Sequence, residues 1–306
     1  MSANTNLTEW LPIEWDSEVI QRVLKLSAVE ANALATPMST STKRILRAGA
    51  FNVTTGSSYT DDTSDLDYVT LTARGFRGKT NLDEDTLNDV ESIADAISQR
   101  AYDWAVSYAN QLDNACLAVT GAENGTTIPF TSVYKAVRTN GADVTSAYVA
   151  DANYVSYNGT ASAAYDKFSE LLRLVEVGEY FDQSNALVIA NHAFRDVIRR
   201  TKDNDGMPVF VQGIAGTPDT LFNIPISWSR GAKTSATNTS APAGNPLMVF
   251  CGDRRLLKLG VRSGPETLVK AADAADTTDE TALKLRSRRG FAAGNVYGFS
   301  VLEKTA

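Results

Sequence analysis

The residues with the sharpest chemical pattern are Ala73 to Thr80, Ala-Arg-Gly-Phe-Arg-Gly-Lys-Thr, a relaxed phosphate-loop spacing with alanine in place of the first glycine. In such a loop the N-terminus of a helix and a lysine, here Lys79, hold phosphates. Two features argue against that chemistry. Val69 and Leu71 alternate with Thr70 and Thr72, as in a half-exposed antiparallel strand, whereas a phosphate-loop strand is apolar throughout. Asp83, Glu84 and Asp85 follow at the helix mouth, where they would repel the phosphates. Nucleotide binding at residues 73–80 is therefore kept only as the alternative reading.

Other candidate chemistry is thinner. His192 is the only histidine, which rules out histidine-based metal clusters and leaves one possible base for any nucleophile. It reads as a histidine tucked on a helix beside Phe194. Cys116 and Cys251 have no metal-ligand spacing and sit among apolar neighbours, so they read as two buried thiols. The carboxylate pairs Asp61-Asp62 and Asp279-Glu280 lie in polar, loop-like sequence, and Gly213-Ile-Ala-Gly216 is a turn without dinucleotide context. No catalytic, cofactor-binding or metal-binding set emerges. Arg286, Arg288 and Arg289 form the densest basic cluster. Their guanidinium forks suit carboxylates such as Asp61, Asp62 and Asp65 of an adjacent subunit, and Arg74 and Arg77 join the same set of contact candidates.

The elements that position these residues follow from periodicity. Leu66 to Ala73 is strand-like, then Gly75 and Gly78 read as turns into a single long helix. Thr80 and Asp83 make a capping-box signal, and Gly121 is the C-cap candidate. Val90, Ile93, Ile97, Ala101, Trp104, Tyr108, Leu112 and Ala115 recur every three or four residues as one apolar stripe. A helix of about 37 residues would run roughly 55 Å, the spine of a flat subunit. Before it, Met1 to Arg47 reads as an extended arm with a helical patch at Val19 to Leu26. Lys43 to Phe51 and Tyr68 to Phe76 read as the two strands of a long hairpin, which is marginal alone and needs a partner surface. After it, Asn124-Gly125, Asn140-Gly141 and Asn158-Gly159 mark turns. A small α/β region follows, with a helix at Ala163 to Glu176 burying Tyr165, Phe168, Leu171, Leu172 and Val175. It continues with a strand at Asn185 to Ala190 and a short helix at His192 to Thr201. Thr234 to Gly244 reads as a mobile surface loop, and the closing strands as Leu247 to Cys251, Leu256 to Val261, Leu283 to Arg288 and Val296 to Leu302. With no internal repeat or clean linker, the domains are expected to interdigitate.

Composition bounds the function. The chain has 306 residues, 43% of them hydrophobic and 21% charged, enough for a sizeable core. A net charge of −7 disfavours direct, sequence-reading contact with nucleic acid. No run approaches a membrane span, and no secretory signal is read at Met1 to Asn6, so synthesis is expected in a reducing cytosol.

The order of elements resembles the Hong Kong 97 fold, the fold of the major capsid proteins of tailed bacteriophages. Leu11-Pro-Ile-Glu-Trp-Asp-Ser-Glu-Val-Ile20 with Pro37-Met38 resembles the opening of that family's arm, and Tyr68 through Leu117 its hairpin return and spine helix. Ile198 to Gly206 and Gly216 to Ile226 resemble its axial segment, with Asn223 where glycine usually stands, and Val249 to Asp253 and Arg289 to Phe299 its later strands. The resemblance implies an α+β chain with an arm over 1–48, an extended hairpin loop over 49–78, a peripheral domain of 79–120 and 263–306, and an axial domain of 121–262. It implies pentamers and hexamers that enclose double-stranded DNA in a virion capsid assembled in the host cytoplasm. Partners would be a separate scaffolding protein, a portal, and a maturation protease or decoration protein, with no membrane and no cofactor. An encapsulin-like compartment shares the fold. Some members cross-link a hairpin lysine to a peripheral asparagine, but Phe51 to Gly78 lacks lysine and Gly264 to Ser287 lacks asparagine, so no such bond is expected.

Overall fold

The computed structural model describes residues 27–47, 53–57, 61, 67–83, 93–140, 148–160, 163–202, 219–242, 246–270 and 280–305. The expected patch at Val19 to Leu26, the Gly213–Gly216 turn, Asp62, Asp65 and residues 84–92 lie outside them.

Three sheets carry the chain. The smallest pairs β2 (Thr42–Arg47) with β3 (Asp67–Thr72), so the base of the expected hairpin forms with Ile45 opposite Val69. The second sheet has the order β1-β10-β11-β4, built from β1 (Leu34–Pro37), β4 (Arg74–Asp83), β10 (Leu257–Lys270) and β11 (Glu280–Ala293). The third has the order β5-β12-β9-β6-β8-β7, from β5 (Tyr154–Tyr157), β6 (Ala186–Asn191), β7 (Thr220–Leu221), β8 (Ile224–Ser229), β9 (Leu247–Asp253) and β12 (Phe299–Lys304). The helices are α1 (Ala28–Asn32), α2 (Ile93–Leu117), α3 (Val133–Val137), α4 (Ala164–Glu176) and α5 (Phe194–Arg200).

The expected turn into a helix at residues 75–83 is corrected. Arg74–Asp83 is a ten-residue strand, paired antiparallel with β11 from Arg74 opposite Arg289 to Asp83 opposite Glu280. Thr80 and Asp83 are thus strand residues and no capping box, and the spine helix is described over 25 residues, Ile93–Leu117. Gly121 is not its cap either. A side chain there would meet Ile128 and the carbonyl of Ala236, so the glycine allows close chain approach. Strand won because β11 offers a long partner edge, and because alternation in β4 sends Phe76 into the core while Gly75 and Arg77 stay in water.

The apolar stripe of α2 is found where its side chains are described. Tyr108, Leu112 and Ala115 are buried with Trp104 packed against them, in a core shared with Phe76, Phe130, Phe250 and Phe291. A second core gathers Phe168, Leu171, Leu172 and Val175 of α4 against Val188, Phe194, Ile224 and Val249. Tyr165 corrects the expected α4 stripe: it is 42% exposed and meets Phe222 edge-on. Gly125 and Gly159 take the positive φ that their Asn-Gly turns require, at 74° and 83°. The segment after Thr234 is no loose loop. Asn114 Nδ2 donates to the carbonyls of Gly231 and Lys233, Ser235 Oγ donates to Asn114 Oδ1, and Asn238 N donates to Thr127 O.

Gly78 shows why a glycine sits in β4. A Cβ there would lie 2.7 Å from Trp104 Cδ1, so the indole packs directly against the bare backbone. Gly78→Ala is expected to displace Trp104, red-shift tryptophan emission and cost roughly 1–3 kcal/mol in denaturant melts. Burial pushes the thiol of Cys116 up, and that of Cys251 up to about 12. Both should resist a thiol-reactive dye in the native chain at pH 8 and react once it is unfolded.

Candidate assembly surfaces

One buried carboxylate holds three distant parts of the chain together. Asp113, near the end of α2, accepts from Ser27 Oγ at 2.5 Å, Ala28 N at 3.0 Å, Val29 N at 3.1 Å and Ser229 Oγ at 2.5 Å. The first amides of α1 have no partner within their own helix, so Asp113 caps them from outside while Ser27 accepts from Glu30 N. The arm, the spine and the end of β8 therefore meet at one side chain. Burial pushes the Asp113 carboxyl up from its ordinary range, and the four donated hydrogen bonds pull it back. Sequence reading missed this role; Ser27-x-x-Glu30 has capping-box spacing, and Asp113-Asn114 interrupts an otherwise apolar helix end. Glu303 does the same service elsewhere on the six-stranded sheet, accepting from Tyr134 Oη at 3.0 Å and Tyr154 Oη at 2.7 Å, with Arg138 at 3.4 Å. It ties α3 and β5 to β12.

The sheet of β4, β11 and β10 has two chemically different faces. Leu283, Leu285, Ser287, Arg289 and Phe291 alternate onto the spine side and are buried. Arg289 is 4% exposed, held by Glu30 and by a 2.6 Å hydrogen bond to Ser263 O. Its charge is used within the chain. The opposite face gathers Arg77, Lys79, Lys284, Arg286 and Arg288 around one open groove with Leu268. Register sets Lys79 directly opposite Lys284 and Arg77 opposite Arg286, a like-charge arrangement that weakens a sheet. Arg286 has Glu266 at 2.8 Å. Among the described residues no carboxylate pairs with Arg77, Lys79, Lys284 or Arg288.

Of the other contact candidates, Arg74 sits away from this groove, 3.1 Å from Glu123. Asp61 is exposed. The phosphate-loop reading fails on this geometry: Lys79 lies in mid-strand on a sheet face and no helix opens at Thr80. His192 corrects the expected place on a helix beside Phe194: it lies in the turn before α5, which starts at Phe194, and its ring sits beside Trp228, centroids 6.2 Å apart. Among the described residues no three His, Cys, Asp or Glu side chains cluster as metal ligands, and no helix is long and apolar enough to cross a membrane.

The β2–β3 ribbon also has an unused face. Leu46 is 84% exposed, opposite Tyr68, whose ring lies under the Arg44 guanidinium at 4.3 Å. An apolar side chain held out on a two-stranded ribbon suits coverage by a neighbour.

Solved structures share this fold over almost its whole length. A chain from Mycobacterium phage Ogopogo matches with TM-score 0.70 at 13% identity, covering 97% of this chain and 98% of its own. A chain from Mycobacterium phage Bobi matches with TM-score 0.69 at 14% identity, covering 98% and 97%. The capsid of a native GTA particle matches with TM-score 0.68 at 18% identity, covering 100% and 99%. No curated protein matches. The fold is of the Hong Kong 97 type, that of shell-building subunits. The family model described as the phage capsid family matches residues 11–303, and the chain belongs to that family as a structural capsid protein.

Removing the Asp113 carboxylate strands four buried donors. Asp113→Ala is expected to lower stability by about 3 kcal/mol, and Asp113→Asn by a similar amount because its amide would face donors, as read by thermal or urea unfolding.

Proposed function

We propose that this chain is the major capsid protein of a tailed bacteriophage, assembling with copies of itself into pentamers and hexamers of an icosahedral shell that encloses double-stranded DNA. The observation that carries the reading is the set of large apolar side chains left in water on projecting elements: Leu46, Val53, Leu268 and Val269. A single chain gains nothing from them; a shell covers them. In this proposal the buried area per subunit exceeds the ~2,000 Å² at which obligate interfaces begin. The arm spans 1–48, the extended loop 49–78, the peripheral domain 79–120 with 263–298, and the axial domain 121–262. Residues 299–304 go with the axial part, since β12 pairs with β5 and β9 there.

The charge pattern supports a specific inter-subunit contact. Among the described residues only Glu266, paired with Arg286, offsets the groove of Arg77, Lys79, Lys284, Arg286 and Arg288, and the extended loop carries Asp61, Asp62 and Asp65. We assign the loop of one subunit to the groove of the next, with Arg74 as a separate contact away from the groove. The chain has no catalytic role in this reading, and its subunits are joined without lysine–asparagine cross-links. A separate scaffolding protein, a portal, and a maturation protease or decoration protein complete the pathway, which runs in the host cytoplasm.

Electron microscopy and size-exclusion chromatography of the chain, alone and with a candidate scaffold, test the proposal. Shells or rings of five and six are expected, and a persistent monomer in both conditions overturns it. Reversing charge in the groove with Arg77→Glu and Arg286→Glu should abolish particle formation while leaving the melting temperature within a few degrees, and Asp61→Arg with Asp62→Arg should restore part of it. Nucleotide titration is expected to show no binding that Lys79→Ala removes.

A further inference from the structure

Between the root of the β2–β3 ribbon and α3 lies a cleft of about 440 Å³, the size of a ligand site. Val69, Phe291 and Val296, all buried, give it an apolar floor, and Arg47, Glu123 and Lys135 stand at its mouth. Two of these three charges are used within the chain. Arg47 pairs with Asp67 at 3.3 Å and donates to Gly294 O, and Glu123 holds Arg74 at 3.1 Å. Among the described residues no carboxylate pairs with Lys135. An apolar cleft beside such a cation fits an aromatic side chain that carries a carboxylate next to it. Trp15, in Ile13-Glu-Trp-Asp-Ser17, is the one aromatic residue of the sequence with a carboxylate on each side. It lies outside the described residues, on the stretch that leads into Ser27.

We propose that this segment docks in the cleft of its own chain, with the Trp15 indole on the apolar floor and Glu14 on Lys135. The tether reaches. Ser27 is fixed to Asp113 by a 2.5 Å hydrogen bond, and from Asp113 to Glu123 the chain runs four helical steps to Leu117 and then six more. That path is at most about 28 Å long, whereas the stretch from Trp15 to Ser27 extends to about 40 Å. A tether of this length presents the segment at roughly millimolar concentration, which favours the chain's own cleft over that of another copy. Pro12 favours an extended chain with three residues per turn, and in that conformation Glu14 and Asp16 flank Trp15 on either side rather than pointing directly away from the cleft. Thr139 at the mouth has a hydroxyl with lone pairs free to accept from the indole N–H. Docked there, the segment ties the ribbon root, through Val69, to α3, through Lys135, and so fixes the angle at which the ribbon leaves the body.

The test uses cysteine variants of the purified chain, in which Cys116 and Cys251 are buried. Asp16→Cys with the exposed Thr139→Cys should close a disulfide within one chain on mild oxidation, seen as a faster-running monomer on a non-reducing gel. Adding Trp15→Ala should lower its yield about tenfold, as should Lys135→Glu, and Glu14→Lys should restore the yield of the Lys135→Glu chain. A disulfide that forms equally well without Trp15 overturns the cleft as the docking site. A disulfide-linked dimer in place of the monomer overturns docking within one chain, and the absence of any disulfide overturns the inference altogether. The shell reading stands under each outcome, since the inference does not rest on it.

Discussion

The fold depends on keeping the Asp113 carboxylate buried and fully hydrogen-bonded. An acceptor with four donors in a dry interior is costly to disturb, because each donor left behind has no water to turn to. Those donors come from Ser27 and the first turn of α1, and from the end of β8, which are remote in sequence. Asn114, next along α2, binds the chain from Gly231 to Ser235 in the same way. The end of the spine helix is thus a polar anchor within an apolar core. It sets where the chain at Ser27 to Val29 docks and how the six-stranded sheet sits against the spine, and through β1 it sets the start of the sheet that carries the basic groove.

From that anchor outward, the structure spends its interactions unevenly. Near the spine, ion pairs close within the chain, as Arg289 does on Glu30. Farther along the same strands, like charges stand opposite each other. A monomer selected only for its own stability would separate such charges. In the proposed shell the compensating groups would come from the neighbour.

Periodic and compositional signals were legible in the sequence where one residue's environment is set by its near neighbours. The α2 stripe from Trp104 to Ala115, the α4 helix, the β6 run, the turns at Asn124-Gly125 and Asn158-Gly159 and the buried cysteines read correctly from local pattern. Segment 74–83 did not. Its glycines and Thr80 carry the local marks of a turn and a helix start, but ten residues of pairing with β11 outweigh them, and Gly78 serves the Trp104 ring. Part of the candidate surface was visible as an arginine cluster. Its division was not, because alternation along β11 sends Arg289 inward and Arg286 and Arg288 outward, and only the register shows that Arg77 and Lys79 join them.

What the sequence by itself determined is the order of elements, the apolar faces and the family pattern, since these are written in spacing along one chain. Tertiary structure alone decided which polar residues are buried and which charges are cancelled within the chain. Each of these depends on contacts between residues about 80 to 260 positions apart, such as Ser27 with Asp113 and Glu30 with Arg289, whose energy no local window contains.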